Sequence, residues 1–161
     1  MDVVDPQVRS RMMSGIRGRD TLPEMQLRSG LWRLGLRFRL HVNLPGKPDL
    51  VLARWRAALF VHGCFWHAHQ GCRYFKIPGT RAAFWRDKLG ANRIRDAAAV
   101  ASLRASGWLV IVVWECALRL DAQSSVEAAA RIVRSSPGPR HYEILQKKFK
   151  TGTGRIAIVR R

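Results

Sequence analysis

The period of the apolar positions changes several times along the chain, and each change marks an element. Leu27, Leu31 and Leu34 recur at helical spacing. They lie between Thr21-Leu22-Pro23-Glu24, a capping-box pattern, and Gly35, a helix stop, so a helix is expected over 21–35. Leu36–Val42 alternates polar and apolar residues and predicts a strand. Asp49–Ala53 and Ala57–His62 are continuous apolar runs, the pattern of strands covered on both faces, with Trp55 and Arg56 forming a tight hairpin between them. Residues 63–79 have no period and read as a structured loop. Thr80–Ser106, rich in Ala, Arg and Leu and closed by Gly107, predicts a long helix, and Trp108–Glu115 a buried β-branched strand. A second capping box, Ser124 to Glu127, opens a shorter helix over Ser124–Arg134. Residues 7–17 suggest a short helix or a basic arm. Residues 135–161 turn Pro/Gly-rich and then basic, the pattern of a poorly ordered tail. The order implies an α/β fold: a mixed β-sheet flanked by helices, with a basic arm at 1–20, one domain at 21–134 and a basic C-terminal tail at 135–161.

Charge narrows the choice of partners. The chain of 161 residues carries 29 Lys+Arg against 11 Asp+Glu, a formal net charge of +18. A field of that sign and size favours a polyanion such as DNA, RNA or anionic lipid, and binding to it should weaken steeply with salt. The N-terminus lacks the basic and apolar regions of a signal peptide, and the longest wholly apolar run, Trp108–Trp114, is too short to span a bilayer. A cytoplasmic, nucleoid-associated protein without a membrane partner is therefore expected. In a reducing compartment its three cysteines read as metal ligands or buried thiols rather than disulfides.

The densest chemistry lies in His62-Gly63-Cys64-Phe65-Trp66-His67-Ala68-His69-Gln70-Gly71-Cys72. Cys64, His69 and Cys72 form a C-x4-H-x2-C pattern. Cys116, just past a predicted buried strand, completes a Cys3His set of the kind that closes around structural Zn²⁺. His67 is an alternative to His69 in that set. A loop with so little apolar content needs such a staple.

A candidate active site adjoins this loop. Pro48-Asp49 opens one strand and His62 closes the next, which resembles the catalytic core of the PD-(D/E)xK nucleases, with Val61 and His62 where the usual acid and lysine stand. Asp49 and the backbone carbonyl of Val61 offer oxygen ligands to Mg²⁺, and His67 offers a general base near neutral pH. Each residue also has a plainer reading. Asp49 can simply shape a turn, His62 can finish a strand, and Glu24, a further catalytic candidate that would hydrogen-bond a metal-bound water, is already explained by its capping box.

With Arg19-Asp20-Thr21, Leu44-Pro45-Gly46-Lys47-Pro48-Asp49, His62-Gly63-Cys64-Phe65-Trp66-His67, Phe75-Lys76-Ile77-Pro78, Phe84-Trp85 and Trp114-Glu115-Cys116-Ala117-Leu118-Arg119 in order, residues 5–120 resemble the very-short-patch-repair (Vsr) DNA mismatch endonucleases. The resemblance implies a restriction-endonuclease-like fold, a structural zinc, and Mg²⁺-dependent nicking of one strand at a T:G mismatch in double-stranded DNA. It assigns magnesium to Asp49 and the Val61 carbonyl, the base to His67, assistance to His62, and zinc to Cys64, His69, Cys72 and Cys116. It also implies that Phe65, Trp66 and Trp85 wedge into the duplex, that Met13 enters from the opposite groove, and that Asn92 touches the mismatch. Phe84, Trp108 and Trp114 are expected to be core residues instead. The chain departs from the family's best-known form in having Val61 for Thr, Ala68 for one histidine, and one residue more before Cys72. Two other functions fit the same features: a restriction-type nuclease without mismatch preference, and a non-catalytic zinc-stapled DNA-binding module. A monomer suffices for a single-strand nick, and other mismatch-repair proteins are candidate partners.

Overall fold

The computed structural model describes residues 5–15, 18–135, 138–148 and 154–161; the side chains of Met13 and Lys148 lie outside that description. Helix α1 (Pro6–Ser14) precedes α2 (Leu22–Arg33), β1 (Leu50–Leu52), β2 (Ala57–His62), α3 (Ala82–Ala105), β3 (Leu109–Trp114), α4 (Glu115–Leu120), α5 (Ala122–Ser135), β4 (His141–Lys148) and β5 (Gly154–Arg160). Among the described residues the strands form one sheet in the order β1-β2-β3-β4-β5. The β2–β3 and β3–β4 pairs are parallel and the two outer pairs antiparallel, so this is the expected mixed α/β sheet.

The strand alternation sorts side chains onto two faces. Leu59, Leu109, Ile111 and Val113 pack with Leu27, Leu31, Val126 and Ile132 of α2 and α5. Ala58, Phe60, Val110, Val112 and Trp114 pack on the other face with Leu103 of α3. Gly30 lets α2 approach α5 closely, since a Cβ there would lie 2.7 Å from the Val126 methyls. Helix α3 ends in a Schellman motif: Gly107 is left-handed (φ 85°), its N–H donates to the Arg104 carbonyl, and the Trp108 N–H donates to that of Leu103.

Several expectations change on contact with the structure. Leu36–Val42 makes a single antiparallel bridge, Arg39 to Val51, because His41 turns to positive φ and β1 is only three residues long. The turn after β1 is a short 3-10 segment, Ala53–Trp55, closed by left-handed Arg56. At α2, Thr21 does not cap a backbone N–H; its hydroxyl donates to Glu24 Oε1, while Glu24 Oε2 accepts the Asp20 N–H. Helix α5 begins two residues earlier than expected, because the Asp121 carboxylate accepts both the Ser124 N–H and its hydroxyl. The stretch expected as a poorly ordered tail supplies β4 and β5. Its backbone pairs with β3, and Ile144 is fully buried against the sheet core.

Candidate active site and metal centre

The site forms where β1, β2 and α3 converge. The Asp49 carboxylate precedes β1 and accepts the Val61 N–H at 2.7 Å, so one residue holds the ends of both strands together. Gly46 allows this geometry. Its φ is +75°, and a Cβ there would sit 2.7 Å from Ala99 of α3 and 3.1 Å from the Phe60 ring, so only glycine brings this loop against the helix. Asp49 lies in a pocket of about 190 Å³ that also reaches Glu24, Val61, His62, His67 and Asp96. Burial, with the Glu24 charge adding, pushes the Asp49 carboxyl up to about 6 despite the Val61 hydrogen bond. Glu24 is buried and already engaged by Asp20, Thr21 and Arg28.

Beside Asp49 the His62 and His67 rings stack at 3.8 Å, only 4° from parallel. His67 Nδ1 lies 2.6 Å from Asp96 Oδ2. Burial, together with His67, pushes His62 down to about 3, so its ring is neutral at physiological pH. Burial alone would raise the Asp96 carboxyl, but the hydrogen bond to His67 and the neighbouring imidazoles outweigh it and the net shift is downward. Sequence reasoning missed Asp96. The available signal was weak: it is one of two acids on an otherwise basic α3, and it lies one turn from Asn92. Donor atoms of His62, His67 and Asp96 lie within 4.8 Å of one another. The 2.6 Å contact between two of them is a hydrogen bond, however, and ligands on ~2 Å bonds to one ion stand farther apart.

The thiols of Cys64, Cys72 and Cys116 gather with His69, all four donor atoms within 4.8 Å of one another. The loop after β2 supplies three of them and the first turn of α4 the fourth. His69 Nδ1 is 3.5 Å from Cys64 Sγ and 3.6 Å from Cys116 Sγ. The hydrogen bond from Cys64 pulls the Cys116 thiol well down, helped by His69 and the Gln146 N–H, while the same bond and burial push Cys64 up. Three sulfurs and one imidazole, converging with one thiol already biased to thiolate, fit a tetrahedral zinc. Asp49 and the Val61 carbonyl offer oxygen only, and the unfavourable burial of the Asp49 charge is what a divalent cation would offset, which fits magnesium. Further groups unnoticed in the sequence support the sulfur cluster. Glu115 Oε2 accepts the Cys64 N–H while its Oε1 accepts from Arg119. Trp114 stacks on His69 at 4.0 Å and donates its indole N–H to Glu143 of β4.

An aromatic cluster forms on the loop that carries His67 and on the first turns of α3. Phe65, Trp66 and Trp85 meet at centroid distances of 5.1 to 6.1 Å, and Lys88 lies 5.5 Å from the Trp85 ring centre. Asn92 fixes this loop to α3, donating to the Trp66 carbonyl at 2.9 Å and accepting from Arg95. Trp114 is core, as expected, and Trp108 packs partly buried against the same apolar cluster. Phe84 is not core: it is 42% exposed and joins the cluster edge-on to Trp85, because α3 turns that face to solvent. The Met13 side chain, expected on the opposite side of the duplex, lies outside the described residues.

Comparison with known proteins places this arrangement in a family. The family model described as DNA mismatch endonuclease Vsr matches residues 1–73. The DNA mismatch endonuclease Vsr of Escherichia coli K12 is 48% identical over 119 residues, 73% of this chain and 76% of that protein. The type II nicking enzyme V.XorIIP of Xanthomonas oryzae is 48% identical over 118 residues, 73% of this chain and 86% of that protein. V.NmeDIP of Neisseria meningitidis serogroup C, also a type II nicking enzyme, is 31% identical over 149 residues, 91% of this chain and all of that protein. On the strength of these likenesses, the chain belongs to the Vsr family of DNA mismatch endonucleases.

Proposed function

We propose that this protein is a Mg²⁺-dependent endonuclease that nicks one strand of duplex DNA at a T:G mismatch, as in very short patch repair of deaminated 5-methylcytosine. The observation that carries the reading is the single pocket shared by Asp49, Val61, His62, His67 and Asp96, with the Phe65–Trp66–Trp85 cluster formed on the same loop as His67. The nicking enzymes among the relatives support strand selectivity.

Asp49 and the Val61 carbonyl would hold magnesium, which when bound stabilises charge on the phosphate and the leaving oxygen. His67 accepts the proton of the attacking water at Nε2, because Asp96 holds the Nδ1–H and so fixes the tautomer. His62, kept neutral by burial, positions His67 through the ring stack rather than donating a proton. Glu24 closes the pocket floor as a second carboxylate beside Asp49. Cys64, His69, Cys72 and Cys116 hold a structural zinc that stiffens the loop carrying Phe65, Trp66 and His67. Those aromatics, with Trp85, open a base step that a mismatch has already weakened. Asn92 holds the Trp66 backbone in place, and Met13 enters from the other groove. The whole site is built from one chain, so a monomer suffices. Among the described residues no helix is long and apolar enough to cross a membrane.

A strand-resolved nicking assay tests this. The zinc-loaded protein is given Mg²⁺ and one of two duplexes, one with a T:G mismatch and the other its T:A control. Cleavage confined to the thymine strand of the mismatched duplex, and dependent on Mg²⁺, is expected. Equal cutting of both duplexes would overturn mismatch selection in favour of a restriction-type nuclease. Tight, salt-sensitive binding without cleavage would leave only the binding module.

A further inference from the structure

A second, larger cleft of about 540 Å³ runs beside the catalytic pocket, between α3 and strands β3 and β4. The two meet at His62, His67 and Asp96, which line both. Along α3 the cleft is edged by Arg93, Ala97, Ala101 and Arg104, residues three or four apart and therefore on one helix face. The two alanines keep the cleft open. Arg93 and Arg104 stand exposed at its ends, eleven residues or about 16 Å apart at 1.5 Å per residue. Because phosphates of one strand advance only about 3.4 Å each along a B-form axis, that span covers more than one.

The charges in the cleft are unevenly matched. Asp96 is taken by His67, and Glu143 accepts from the Trp114 indole at 3.0 Å and from Arg161 at 3.1 Å. Among the described residues Arg93 and Arg104 have no ion pair. On the β4 side, His141 Nε2 is buried without a hydrogen-bond partner; the nearest carboxylate oxygen, on Glu143, is 4.0 Å away, too far to serve. Burial, with Arg104 and Arg161 acting against Glu143, lowers the His141 pKa. Two unpaired arginines on one helix face, in a cleft that begins at the catalytic histidine and is walled by His141, describe a receptor for phosphate oxygens.

We propose that the α3–β4 cleft holds backbone phosphates of the single strand next to the cut bond, with Arg93 and Arg104 as the charge contacts and His141, near Arg104, as part of the cleft wall. This rests on the reading above that His67 marks the cut. The site would keep the end of the nicked strand from springing back onto its complement.

Binding of a fluorescent single-stranded oligothymidine to the full zinc-loaded chain, followed by anisotropy, tests the assignment without any cleavage, so it is read independently of the nicking assay. Arg104→Glu should weaken binding about tenfold, the size of one lost charge-assisted contact. Arg131→Glu, an equal charge reversal on an exposed residue of α5, should change it less than about twofold, because a distant charge acts only through the screened field. In the wild type, the His141 Cε1–H resonance should shift on adding the oligonucleotide, and in Arg104→Glu the same shift should need about tenfold more oligonucleotide. Equal losses in the two variants, or an unmoved His141 resonance, would overturn the site. If millimolar inorganic phosphate alone displaces the oligonucleotide and shifts His141 in the same way, the cleft is a free-anion site and the strand assignment fails.

Discussion

Asp49→Asn should make the magnesium-free protein more stable while abolishing nicking. The Asp49 carboxyl is pushed from 3.8 to about 6 in the folded chain, chiefly by burial. At about 1.36 kcal/mol per pH unit, that displacement corresponds to a ceiling of about 3 kcal/mol for holding the charge inside the fold. Because the folded value lies above the unfolded one, the stabilisation from a protonated Asp49 is complete below pH 3.8 and is lost as pH rises through about 6. Asparagine has no charge to bury, and its Oδ1 can still accept the Val61 N–H now accepted by Asp49. The variant should therefore gain about 1 to 3 kcal/mol over wild type near pH 8 and almost nothing below about pH 4. Urea unfolding of zinc-loaded, magnesium-free protein at both pH values measures the difference. Adding Mg²⁺ at the higher pH should stabilise the wild type and leave the variant unmoved. A variant no more stable than wild type at pH 8, or one with the same gain at both pH values, would refute the argument that burial of this carboxylate strains the fold.

Cys116→Ser should release zinc and lower the melting temperature together, because Cys116 is fully buried at the cluster and its thiol is the one biased to thiolate; an unchanged zinc-to-protein ratio by mass spectrometry would remove it from the ligand set. Asp96→Asn should lower kcat about 10²- to 10⁴-fold, with KM and duplex affinity unchanged, since it loses the carboxylate that fixes the His67 tautomer. A rise in KM without loss of kcat would show that Asp96 merely shapes the helix face.

Elements whose burial is written locally were legible in the sequence. β2 and β3 are unbroken apolar runs and became the central parallel pair, and Gly107 announced the end of α3. β4 and β5 were not legible, because half of their residues are polar. Among the described side chains of β4 only Ile144 is fully buried, and the strand owes its place mainly to backbone pairing with β3 and β5, which no local pattern records. The same limit applied to the site. Asp49, His62 and the cysteines stand out because their spacing on adjacent strands and one loop is visible. Asp96 does not, since it reaches His67 across 29 residues from the middle of a helix. Phe84 misled for a related reason: an aromatic in an Ala-rich helix looks like core until the sheet shows which face of the helix is free.

The parallel pairing of β2 with β3 matches His62 with Trp114. Cys64 lies two residues beyond the one and Cys116 two residues beyond the other, so the two thiols extend the same register past the ends of the strands. Parallel neighbours have no hairpin turn to fix their alignment, and a slip of one residue would exchange the faces of every side chain on the strand. Such a slip would turn His62 away from His67 and pull the two cysteines out of step. An ion clasped between them would then act as a clip that rejects misaligned sheets, and His62 and His67 would stand together beside Asp49 only in the register that lets the metal find all its ligands.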